Sequence, residues 1–175
     1  MEPTGRILSL EELPAWREAQ RQAGRRVVAT NGCFDLLHQG HVACLQGARA
    51  LGDCLVVGLN DDESVRALKG PDRPWVPAEE RAFLLAALRV VDAVCVFPQL
   101  DAVEFLRRAR PDVYVKGGDY TLETLHPGER RLLEAMGSRI VLIPPVPGRS
   151  SSALIRRIQA ARLQEPAAEA VPVQT

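Results

Sequence analysis

The sequence predicts an α/β fold: one doubly wound domain in which five parallel strands form a sheet covered by helices on both faces. Three observations predict it. Short apolar runs rich in β-branched residues recur, among them RRVVATN (25–31), DCLVVGLN (53–60) and SRIVLIPPV (138–146), and runs of this kind mark strands buried on both faces. Segments of helical length with an apolar face lie between them. The two kinds alternate instead of clustering, as strand–helix–strand crossovers require.

Each element has its own reason. Residues 1–24 read as a helical lead-in, where SLEELPAWREAQRQAG opens on Ser9, carries Glu11 and Glu12, and stops at Gly24. RRVVATN is the first strand. QGHVACLQGARALG places Cys44, Leu45, Ala48 and Leu51 on one helical face and ends at Gly52. DCLVVGLN is the second strand. DDESVRALKGPDRPWVP (61–77) mixes charge, Gly and Pro and reads as a long functional loop with one helical turn. AEERAFLLAALRVV is a helix with acids in its first turn. DAVCVF, LDAVEFLRRAR and PDVYVKG continue as strand, helix and strand, and HPGERRLLEAMG is a helix ending at Gly137. SRIVLIPPV is the fifth strand, stopped by Pro144 and Pro145. SSSALIRRIQAARL is the last helix, with serines at its N-cap. The domain therefore spans 25–162, and 163–175 is expected to be a disordered tail.

Composition excludes several classes. Lys plus Arg and Asp plus Glu number 22 each, so the chain lacks the basic excess of a nucleic-acid binder. No apolar run reaches membrane-spanning length and the N-terminus has no signal-peptide pattern, which implies a cytoplasmic protein with no membrane partner. Cys33, Cys44, Cys54 and Cys95 show no CxxC spacing, so neither a zinc site nor a disulfide framework is expected. No metal-ligand cluster is visible.

In a parallel sheet, ligands sit at the carboxyl ends of the strands. There the chain reads TNGCFDLLHQGH, which holds two of its 3 histidines. The following helix N-terminus offers free N–H groups and a partial positive charge, a natural phosphate site. Gly32 and Gly40 let the backbone come close to a ligand. No P-loop or GxGxxG pattern is present. His38 and His41 supply donors instead, and a bound anion would raise their charge. A second anion site is legible at GRSSSALIRRI, where hydroxyls meet an N-cap.

HxGH after a GCFD strand end resembles the signature of the HIGH-type nucleotidylyltransferases, and GRSSSALIRRI resembles their C-terminal ISSTxIR segment. That family moves a nucleotidyl group from an NTP to a phosphate or carboxylate and releases pyrophosphate, on a Rossmann-like sheet. The segments TNGCFDLLHQGH, LNDDESVRALKGPDRP and PDVYVKGGDYTLETL together resemble the adenylyltransferases of the ADP-heptose pathway, from about Ile7 to about Ile158. The resemblance implies transfer of AMP from ATP to D-glycero-β-D-manno-heptose 1-phosphate, feeding lipopolysaccharide core or a related polymer. It also implies Mg²⁺ bound mainly through the ATP phosphates, and a separate heptose kinase upstream. Homo-oligomerisation through FLLAALRVV is open.

The resemblance implies roles by residue. His38, His41 and Lys69 are catalytic: the histidines hold the α- and β-phosphates and Lys69 folds over them from its loop. Asn31, Gly32, Cys33, Phe34, Gly40, Arg81, Gly117, Asp119, Ser150, Ser151 and Ser152 bind nucleotide, with Cys33 packed beneath it. Asp35, Asp61 and Lys116 bind the acceptor, although Lys116 and Asp119 fit either phosphate partner. The basic residue of the ISSTxIR segment falls at Ile155, so Arg149, Arg156 and Arg157 are its candidate replacements. The rivals are a cytidylyltransferase acting on glycerol 3-phosphate or a similar small phosphate, which VKGGDY disfavours, a nucleotide-binding module without catalysis, and a tRNA-charging domain, which the size disfavours.

Overall fold

The structure is a computed structural model that describes residues 3–162. It holds six parallel strands in the order β1-β4-β3-β2-β5-β6. These are β1 (Arg6–Leu8), β2 (Val27–Gly32), β3 (Cys54–Asn60), β4 (Ala93–Phe97), β5 (Val113–Gly117) and β6 (Arg139–Ile143). Seven helices connect and follow them: α1 (Leu13–Gln22), α2 (Gln39–Arg49), α3 (Asp62–Lys69), α4 (Ala78–Ala86), α5 (Val103–Ala109), α6 (Pro127–Ala135) and α7 (Ser151–Arg162). The expected tail at 163–175 lies outside the described residues.

The period of two along the strands sorts the core into two layers. Val27, Ala29, Cys54, Val56 and Cys95 face one side and pack with Leu13, Trp16, Phe105, Leu106 and Leu133 of α1, α5 and α6. Val28, Leu55, Val57 and Val94 face the other and pack with Leu45, Ala48, Ala82 and Leu85 of α2 and α4. All of β3 is buried, as its unbroken apolar run predicts. On α4, Phe83 and Leu84 remain exposed.

Two expectations need correction. The sheet has six strands, not five, because Arg6–Leu8 in the lead-in pairs with β4 at the sheet edge. Three residues with only Leu8 buried give too short an alternation to read as a strand. Gly5 lets this edge close tightly, since a Cβ there would lie 2.7 Å from the Val91 carbonyl. The stretch at 61–77 is not mainly loop: α3 occupies eight of its residues. Asp61 caps it by accepting from the Ser64 N–H at 2.8 Å, Asp62 and Glu63 complement its dipole, and Gly70 ends it at φ 106°. The Gly and Pro that suggested a loop follow the helix.

The chain leaves β2 toward β3, β4 and β1 on one side, and β5 and β6 build the other. The direction of winding reverses between β2 and β5, so the cleft belongs at their carboxyl ends.

Candidate active site

A cleft of about 860 Å³ opens at that point. After β2, Phe34 turns the chain with φ 46°, a left-handed conformation unusual for an aromatic residue. Its ring lies where a Cβ on Gly32 would be 3.2 Å away, and packs 5.2 Å from the His41 ring. His38 then takes the N-cap position of α2 in extended backbone, without a side-chain cap bond. The N–H groups of that helix start are thereby left open to an anion.

His38 and His41 stack with ring centroids 3.8 Å apart. Both Nδ1 atoms are buried with no partner among the described residues. Burial pushes the His38 pKa down. Burial, and then the neighbouring His38, hold His41 at about 4. The pair is neutral in the free protein and acquires charge only when an anion stabilises it.

The start of α7 meets the same place. Ser150 Oγ accepts the Ala153 N–H at 3.1 Å and caps the helix. Ser151 Oγ donates to the Leu36 carbonyl at 3.2 Å, tying α7 to the histidine loop. A Cβ on Gly40 would meet both the His38 ring at 3.0 Å and the Arg149 carbonyl at 3.1 Å. Only glycine allows the two helix starts to come this close. Arg149 lines the cleft, whereas Arg156 and Arg157 do not.

Across the cleft, Lys116 ends β5 with its side chain 11% exposed. Its Nζ donates to Asn31 Oδ1 at 2.9 Å and to the Tyr114 hydroxyl at 3.2 Å, and lies 3.9 Å from Glu129. Burial lowers its pKa and the Glu129 carboxylate acts against that. Gly117 follows, and a Cβ there would lie 2.3 Å from Cys44 Sγ. Burial raises the Cys33 thiol above its ordinary value, so Cys33 is protonated at neutral pH and is not a nucleophile.

The structure thus brings His38, His41, Lys69, Asn31, Gly32, Cys33, Phe34, Asp35, Gly40, Lys116, Gly117, Asp119, Ser150, Ser151 and Ser152 to one cleft. Asp61 and Arg81 do not line it. Asp61 is spent on the α3 cap. Arg81 is fully buried and braces four segments: it donates to the carbonyls of Val76 (2.7 Å), Cys33 (2.6 Å) and Asn60 (2.9 Å) and to Asp62 (2.7 Å). Asp35 lines the cleft, but its Oδ1 accepts the N–H groups of Trp75 and Val76 at 2.7 and 3.0 Å, and Oδ2 pairs with Arg73. It anchors the segment that follows Lys69.

Tyr114 and Glu129 carry no signal in the sequence reading. Tyr114 looks like a core aromatic in a strand, and Glu129 like a first-turn acid complementing a helix dipole. Among the described residues no group of three or more His, Cys, Asp or Glu could hold a metal ion, and no helix is long and apolar enough to cross a membrane.

Comparison with known proteins agrees with this geometry. A family model described as cytidylyltransferase-like matches residues 29–158. The bifunctional protein HldE of Syntrophotalea carbinolica is 50% identical over 158 residues, covering 90% of this chain and 32% of that protein. The protein of the same name from Geobacter sulfurreducens is 46% identical, with 90% and 32% covered. The chain spans about a third of the length of these relatives. Among solved structures, the lipopolysaccharide core biosynthesis protein of Thermoplasma volcanium superimposes with a TM-score of 0.58 at 26% identity, covering 70% of this chain and 98% of that one. Pantoate–β-alanine ligase from Francisella tularensis shares the fold alone, with a TM-score of 0.59 at 12% identity over 95% and 82% of the two chains.

Proposed function

The chain belongs to the cytidylyltransferase-like family, and from that premise we propose that it transfers AMP from ATP to D-glycero-β-D-manno-heptose 1-phosphate, giving ADP-heptose and pyrophosphate. One observation carries the reading. The stacked His38–His41 pair and the starts of α2 and α7 meet at the carboxyl ends of β2 and β5, with buried Lys116 in the same cleft. Such a place suits a polyphosphate on one side and a phosphate acceptor on the other. The high identity to HldE proteins, and the likeness to a lipopolysaccharide core biosynthesis protein, support the heptose acceptor.

The step is an in-line displacement. A non-bridging oxygen of the acceptor phosphate bonds to the α-phosphorus of ATP, the bond from that phosphorus to the β-bridging oxygen breaks, and its electron pair leaves on pyrophosphate. The nucleophile is already an anion, so no general base is required. Catalysis is positioning and charge neutralisation. His38 and His41 donate to the α- and β-phosphates, and the anion raises their pKa values from the low values of the free protein. Open N–H groups at α2 and the serines of α7 hold the triphosphate, with Arg149 as the nearby cation of that segment. Lys69 closes over the phosphates from the end of α3, and Asp35 fixes the segment behind it. Arg81 acts through the backbone it braces rather than by touching nucleotide. Lys116 takes the acceptor phosphate. The donor set offers no carboxylate cage, which fits Mg²⁺ held chiefly by the ATP phosphates and supplying charge neutralisation there. A kinase must supply the sugar 1-phosphate.

The test is pyrophosphate release with ATP, CTP, GTP or UTP, each against the heptose phosphate, glycerol 3-phosphate or no acceptor. Release with ATP and the heptose phosphate alone, lost in His41→Ala, is the expected result. Release with CTP and glycerol 3-phosphate would replace the substrates while keeping the site. Nucleotide binding with no release in any pair would make the chain a binding module.

A further inference from the structure

Lys116 does not reach the cleft alone. Asn31, at the end of β2, lies beside it, because β2 and β5 run parallel with Ala29 opposite Tyr114 and Thr30 opposite Val115. Tyr114 stands two residues before Lys116 and so points to the same face of the sheet. α6 covers that face and brings down Glu129, which is 4% exposed. Glu129 Oε1 accepts the Ala102 N–H at 2.9 Å, which leaves Oε2 to accept from the Tyr114 hydroxyl at 3.3 Å and to face Lys116 Nζ at 3.9 Å. The Tyr114 hydroxyl also lies 2.6 Å from Asn31 Oδ1. Its single proton serves Asn31 at the shorter distance, and its oxygen receives from Lys116.

An ammonium has three N–H donors. Two of those of Lys116 go to Asn31 and Tyr114, and the third has no acceptor among the described residues, while Lys116 lines the cleft. A lysine carries much rotamer freedom on its four-carbon stem. Here the two hydrogen bonds and the Glu129 charge fix its head, and the Tyr120 ring lies 5.1 Å from Nζ. One donor is left over and has a ligand-sized space to serve.

We infer that Tyr114 and Glu129 are positioning residues that aim the Lys116 ammonium at the phosphate of the acceptor. The inference rests on the proposed function, in which Lys116 takes that phosphate. Neither residue touches substrate. The charged and titratable groups that face Lys116 are Glu129 from α6, Tyr114 from β5, Tyr120 from the segment after it, and Cys33 from the turn after β2. Of these, only Glu129 supplies a negative charge at neutral pH to balance the buried ammonium. Burial pulls the lysine toward its neutral form and Glu129 opposes this, so removing the carboxylate must make Lys116 lose its proton at lower pH.

The experiment uses the full chain and pyrophosphate release with ATP and the heptose phosphate in wild type, Lys116→Ala, Glu129→Gln, Glu129→Asp and Tyr114→Phe. Glu129→Gln keeps an oxygen for the Ala102 N–H and so preserves the packing. It should raise KM for the sugar phosphate about tenfold, with KM for ATP nearly unchanged. It should also move the alkaline limb of kcat/KM to lower pH by about one unit. Glu129→Asp should restore the position of that limb in part. Tyr114→Phe, which keeps the ring in the core, should raise the sugar-phosphate KM without moving the limb, and gives the test should Glu129→Gln fail to fold.

A rise in KM for ATP equal to that for the sugar phosphate would overturn the inference, because it would report general damage to the cleft. So would an unmoved alkaline limb and unchanged sugar-phosphate KM in folded Glu129→Gln, when Lys116→Ala raises that KM. An unchanged sugar-phosphate KM in Lys116→Ala overturns it as well, and with it the assignment of Lys116. A wild type that never uses the sugar phosphate overturns the proposed function and this inference together.

Discussion

Arg81→Met removes the one side chain that ties the ends of β2 and β3 to the segment before α4. The guanidinium is fully buried and uses four of its five N–H donors: on the carbonyls of Val76, Cys33 and Asn60, and on Asp62. Methionine fills most of the space and supplies no donor. Three carbonyls then lose a partner at about 1–3 kcal/mol each, with water recovering part of this. Asp62 is 33% exposed, so it rehydrates and adds less than a fully buried partner would. The expected loss is about 3–5 kcal/mol, against a total stability of about 5–15 kcal/mol for a domain. That corresponds to a fall in Tm of roughly 10 °C. Urea unfolding followed by circular dichroism measures the loss, and calorimetry at 10 °C measures nucleotide affinity in the folded fraction. A loss under about 1 kcal/mol accompanied by a tenfold or greater drop in nucleotide affinity would refute the brace and make Arg81 a ligand contact.

Three further predictions follow from single distances. Gly117→Ala places a methyl 2.3 Å from Cys44 Sγ and should cost about 1–3 kcal/mol in urea unfolding, most of it recovered in a Cys44→Ala background; equal losses in both backgrounds would deny the contact. His41, held at about 4 in the free protein, should stay neutral at pH 5.5 in an NMR titration and gain a proton when pyrophosphate is added; because the unfolded chain takes up that proton near 6.5, stability should fall as pH drops from 6.5 toward 4. A free-protein titration near 6.5 would contradict the buried, stacked geometry. Asp35→Asn removes the charge that pairs with Arg73 and weakens the hold on the Trp75 and Val76 N–H groups, so trypsin should cut after Lys69 several-fold faster while global stability changes little; an unchanged cutting rate would deny the anchor.

What could be read from the sequence was local. The unbroken run of β3 and the HxGH turn announce themselves because each lies in one short stretch, where periodicity and side-chain chemistry need no knowledge of distant residues. β1 escapes because three residues with one buried side chain leave no period. α3 escapes because the Gly and Pro after Lys69 outweigh a helix of about two turns, even though its Asp61 cap and acidic first turn are plain once the boundary is known. The site divides in the same way. His38, Gly40 and His41 are adjacent in the chain. Asn31, Tyr114, Lys116 and Glu129 meet only through the parallel pairing of β2 with β5 and the descent of α6. Arg81 and Asp61 read as site residues from their neighbourhood in the chain, whereas the fold uses both to hold backbone.

The central claim is that the acceptor's own phosphate oxygen attacks the α-phosphorus in this cleft. The measurement is mass spectrometry of the products formed from ATP and heptose 1-phosphate carrying ¹⁸O in its non-bridging phosphate oxygens. The account predicts that all of the label stays in the sugar nucleotide, that pyrophosphate is unlabelled, and that His41→Ala abolishes both products. Label in pyrophosphate, or AMP released without sugar attached, would contradict it.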